Sequence, residues 1–93
     1  MIPQALDAVL KKAPLKRGSD GWEQLDAGVW LTLYLAHNGV SLTISRVGAI
    51  QRDGDLFWAK GAKNELFAFA LADLFAVAIE REPTEASRRT GFV

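Results

Sequence analysis

Glu65 to Glu82, ELFAFALADLFAVAIERE, sorts its side chains by parity. Phe67, Phe69, Leu71, Phe75, Val77 and Ile79 stand at odd positions, and Ala68, Ala70, Ala72, Ala76 and Ala78 at even ones; Leu66 and Leu74 are the exceptions. Successive side chains of a strand point to opposite faces, so this separation is the pattern of a sheet with one core face. The alanines argue the other way, because alanine is the best helix former and a poor strand residue. Asn64 is a suitable cap for such a helix and Pro83 a suitable stop. A helix would, however, leave Phe69 and Ile79 in or beside a stripe of the acids Glu65, Asp73 and Glu80, forgoing ~1.5–3 kcal/mol for each. The pattern therefore predicts strands over 65–71 and 74–80 with Asp73 in the turn between them. One helix over 65–82 is the alternative.

The upstream chain supports a continuing run of strands. VWLTLYLA (29–36) alternates, with Val29, Leu31, Leu33 and Leu35 on one face and Trp30, Thr32, Tyr34 and Ala36 on the other. Asn38-Gly39 is a hairpin signal, since both residues tolerate positive φ. The return strand 40–47 is expected to turn Val40, Leu42 and Ile44 inward, with Gly48 at a bulge or bend and AIQR (49–52) continuing it. DGD (53–55) reads as a second turn, LFWAK (56–60) as another strand and GAKN (61–64) as a third turn. A short edge strand is expected within 22–28. Residues 3–13 read as an amphipathic helix, with Pro3 in its first turn and Leu6, Val9, Leu10 and Ala13 on one side. Pro14 ends it. Residues 14–21 read as a polar loop and 83–93 as a tail.

The expected fold is α+β. The N-terminal helix packs on an antiparallel meander of about five strands that curls toward a half-barrel. The α-β-β-β-α arrangement is the alternative. Ninety-three residues make one domain, 1–93, and 49% apolar content supplies a core for it.

Composition narrows the chemistry. Eleven Lys and Arg balance eleven Asp and Glu, which argues against bulk electrostatic attraction to nucleic acid or acidic lipid. With no cysteine, thiolate metal sites, disulfides and a thiol nucleophile are excluded. His37, the one histidine, lies beside Asn38-Gly39 and reads as a turn residue. Asp53 and Asp55 read as turn residues because the remainder of a calcium loop is missing. Asp73 reads as a turn residue and a gatekeeper against aggregation. No cofactor, metal site or enzymatic activity is expected. The opening residues lack the charge order of a signal peptide, and no apolar run is long enough for a membrane span. The expectation is a cytoplasmic protein, of bacterial origin by its alanine usage.

What remains is a surface. If Val29 to Leu35 face the core, Trp30 and Tyr34 lie on the opposite face, where aromatics in a row suit a protein partner or a homodimer unless the N-terminal helix covers them. Arg46, Arg52, Trp58 and Lys60 add basic and aromatic character. Together they make a single-stranded nucleic-acid surface the weaker alternative. The leading expectation is a small interaction module.

Overall fold

The computed structural model describes residues 2–82; the tail expected over 83–93 lies outside them. Helix α1 runs Pro3–Leu10. Eight strands follow: β1 Leu15–Arg17, β2 Glu23–Leu25, β3 Val29–His37, β4 Val40–Val47, β5 Ala49–Asp53, β6 Leu56–Lys60, β7 Leu66–Ala70 and β8 Leu74–Arg81. A 3-10 turn, Leu71–Asp73, joins β7 to β8. All pairings are antiparallel, in a five-stranded sheet ordered β1-β2-β5-β6-β7 and a three-stranded sheet ordered β4-β3-β8. The sheets are not closed into a barrel.

The α+β class therefore stands, and so do two strands in place of a helix over 65–82. Several details differ. Among the described residues the strands number eight in two sheets, not about five in one meander. β7 and β8 do not pair with each other, because the 3-10 turn carries the chain from one sheet to the other. AIQR does not continue β4 either. Gly48 donates its N–H to the Lys60 carbonyl (3.0 Å) and accepts from the Leu25 N–H (2.9 Å), so the chain has changed sheets by Gly48. The loop expected over 14–21 contains β1, which pairs with β2 through Leu15 and Leu25. That pairing also makes β2 an inner strand, not an edge.

The two sheets share one core. Leu31, Leu33 and Leu35 of β3, Ile44 and Val47 of β4 and Leu74 of β8 meet Ile50 of β5 and Phe57 and Ala59 of β6. α1 contributes Leu6 and Leu10 to the same cluster and leaves its other side exposed. A helix this short is marginal alone, and burial of those two leucines is what holds it. The expected inward run on β4 is realised at one residue of three. Ile44 is buried, but Val40 and Leu42 stand 70% and 56% exposed. Val40 and Leu42 instead line an open cleft together with Leu35 and Phe69.

Two bulges shape the three-stranded sheet. Leu31 pairs with Val47 and Leu33 with Ile44, so Ser45 and Arg46 together oppose Thr32. Tyr34 pairs with Ala76 and Leu35 with Leu74, which leaves Phe75 as the extra residue in β8. A bulge shifts the facing of the side chains next to it. Leu74 accordingly points into the core while Phe75, expected inward from its parity, is 59% exposed.

Candidate partner surface

Inward residues of β3 fix what lies on its other side. With Leu31, Leu33 and Leu35 buried, Trp30, Thr32 and Tyr34 face outward, and their direct neighbours on β8 are Glu80, Ala78 and Ala76. Thr32 is itself buried and donates to Glu80 Oε1 at 2.7 Å. Trp30 lies under the Arg46 guanidinium, 4.3 Å from the ring centroid. The bulge makes that contact: Arg46 has φ 57°, a left-handed conformation that turns its side chain back over β3. Tyr34 packs against Phe75 with ring centroids 6.2 Å apart, tilted by 46°. Trp30 and Tyr34 are each half-buried, and the leucines of α1 go to the core rather than to this face.

The remaining candidates lie elsewhere. Trp58 and Lys60 stand on the outer face of the five-stranded sheet, on the side of β6 opposite the buried Phe57 and Ala59. Lys60 Nζ sits 4.3 Å from the Trp22 ring. Around Trp58 are Ala68 across the ladder and the exposed Leu56 and Leu66. Arg52 belongs to neither outer face. It pairs with Phe57 in the ladder and binds Asp7 of α1 at 2.6 Å, tying helix to sheet. The six candidates therefore separate into Trp30, Tyr34 and Arg46 on one sheet, Trp58 and Lys60 on the other, and a structural Arg52. Arg46, Arg52, Trp58 and Lys60 do not share one face.

Sequence reasoning missed three contributors. Phe75 was hidden by the bulge. Leu66 stood out only as an exception to the parity pattern, and Leu56 gave no signal beyond that of an ordinary apolar strand residue. His37 is the last residue of β3, not part of the turn, and its Nδ1 lies 2.9 Å from Asp73 Oδ1. That pair sits at the rim of an open apolar cleft of about 390 Å³ lined by Leu35, Val40, Leu42 and Phe69. No nucleophile is hydrogen-bonded to the ring among the described residues. Among those residues, too, no group of three or more His, Cys, Asp or Glu comes together to hold a metal ion, and no helix is long and apolar enough to cross a membrane. No family model matches this chain, and neither does any curated protein or solved structure.

Proposed function

We propose that the chain is a small, non-enzymatic protein-interaction module that offers the outer face of the three-stranded sheet to a partner protein. The exposure of Phe75 supports this most directly. A large aromatic left in solvent beside Tyr34, and on the face that carries Trp30, makes a row of rigid apolar surfaces. Small side chains flank the row: Ala76 and Ala78 on β8, and Thr43 opposite Tyr34 on β4. Interface centres are enriched in aromatics and arginine, and Arg46 is held ready at the margin by its contact with Trp30. We place the protein in a reducing cytoplasm of bacterial type, on its lack of cysteine and its alanine-rich composition.

The test is retention of a partner from a lysate of the native cells by the immobilised full chain. The combined Trp30→Ala/Tyr34→Ala variant and Phe75→Ala should each lose the retained protein. Trp58→Ala, on the other sheet, should keep it. Retention unchanged by Trp30→Ala/Tyr34→Ala in a variant that still melts cooperatively would overturn the reading.

A further inference from the structure

We infer that the free edge of β4 pairs antiparallel with β4 of a second copy of this chain, about a two-fold axis at Leu42. β4 is the outermost strand of its sheet, bonded to β3 alone among the described strands. From Leu33↔Ile44 to His37↔Val40 the ladder is uninterrupted. It closes on Asn38 and Gly39, whose φ values of 49° and 81° form a turn of the tight hairpin kind. The pair flanking such a turn exchanges hydrogen bonds, and the pairs alternate from there. Val40, Leu42 and Ile44 therefore direct their backbone groups to β3. Ser41 and Thr43 direct theirs outward, toward the open edge.

Proteins normally guard such an edge with lysine, proline or an inward charge. Val40 to Ser45 carries none of these. Two apolar side chains, Val40 and Leu42, stand exposed there instead.

The strand also specifies its occupant, because it is its own complement. Pairing about Leu42 sets Leu42 against Leu42 of the second copy, Val40 against Ile44, and Ser41 against Thr43. Apolar meets apolar on one face and hydroxyl meets hydroxyl on the other. Arg46 falls opposite Asn38, so no like charges meet. Ser41 and Thr43 of the two copies then exchange about four new backbone hydrogen bonds. The two three-stranded sheets become one continuous sheet, and the exposed Leu42 is covered at its centre. A two-fold interface of this isologous kind is the commonest form of protein self-association. The inference does not rest on the partner-face reading, whose aromatics lie on β3 and β8.

Solution mass tests it. By light scattering or sedimentation at about 100 μM, a concentration at which a micromolar dimer is well populated, the full chain should show twice its 10.2 kDa mass. Leu42→Lys and Leu42→Asp should each be monomeric, since like charges would face each other across the axis. Mixed one to one, the two variants should recover the dimer, which also shows that both remain folded. Ser41→Pro removes an outward N–H without touching the ladder to β3, and it too should be monomeric. Three results would overturn the inference: a monomeric wild type, a Leu42→Lys variant that stays dimeric, or a mixture that stays monomeric. A dimer kept by Leu42→Lys but lost by Trp30→Ala/Tyr34→Ala would assign self-association to the outer face instead.

Discussion

Arg46 holds two opposed terms in one residue. Its left-handed backbone costs about 1 kcal/mol for a residue with a Cβ, while its guanidinium over Trp30 returns roughly 0.5–1 kcal/mol at an exposed site. The bulge requires the first, and the second offsets it. The two terms can be separated. Arg46→Ala loses the ring contact and keeps the backbone strain, so it should destabilise by about 0.5–1 kcal/mol. Arg46→Gly loses the same contact but relieves the strain, less some extra freedom in the unfolded chain. Arg46→Gly should therefore melt above Arg46→Ala, and the reverse order would mean that position 46 does not hold this conformation in solution. The sequence held no sign of the pairing. Arg46 and Trp30 are sixteen positions apart by their numbering, and only the bulge brings them together. Phe75 escaped for the same reason, since a period-two pattern assumes an unbroken ladder and one inserted residue reverses it.

Whole elements were easier to read. The β3–β4 and β5–β6 hairpins follow from local turn chemistry, and Gly39 and Gly54 both adopt the positive φ their turns need. The parity of Phe67, Phe69, Val77 and Ile79 identified β7 and β8 as strands, because one face of each must meet the core. Which strands pair was not legible. β7 bonds to β6 and β8 to β3, and pairings across that separation leave no local mark. β1 was missed because Leu15-Lys16-Arg17 is too short and too polar to show a period. Gly48 was read as a bend and proved to lie where the chain changes sheets. Its φ lies outside the left-handed region, and an added Cβ there would meet nothing within 4 Å. Gly48→Ala should therefore be neutral or stabilise by about 0.4–1 kcal/mol. Gly39→Ala, at φ 81°, should destabilise by about 1 kcal/mol. α1 allows a sharper contrast. Leu6→Ala opens a cavity in the shared core and should lose about 2–5 kcal/mol. Asp7→Ala breaks only a half-exposed pair with Arg52 and should lose no more than about 1 kcal/mol. Equal effects in thermal melts would show that the helix is not anchored through its leucines.

At the scale of the molecule, two sheets that share no strand pairing among the described residues depend on one interior. Leu33 of the smaller sheet and Phe57 of the larger are both fully buried in the same cluster, along with Leu6 of α1. Apart from Leu6 and Leu10 of α1, the core residues of each sheet are met by those of the other. Separated, each would expose its half of that cluster, and a domain of this size has about 5–15 kcal/mol of stability in all. Losing one sheet should therefore unfold the other. The three tryptophans report on this, since Trp30 belongs to the small sheet and Trp58 to the large one. Trp22→Phe/Trp58→Phe leaves Trp30 as the sole reporter, and Trp22→Phe/Trp30→Phe leaves Trp58. Their fluorescence transitions in denaturant should coincide with each other and with the far-UV circular dichroism transition. Phe57→Ala should lower the midpoint seen by Trp30 as much as that seen by Trp58, by a loss of about 3–5 kcal/mol. Trp58 unfolding ahead of Trp30, or a Phe57→Ala effect confined to Trp58, would show two units folding separately and would undo the single shared core.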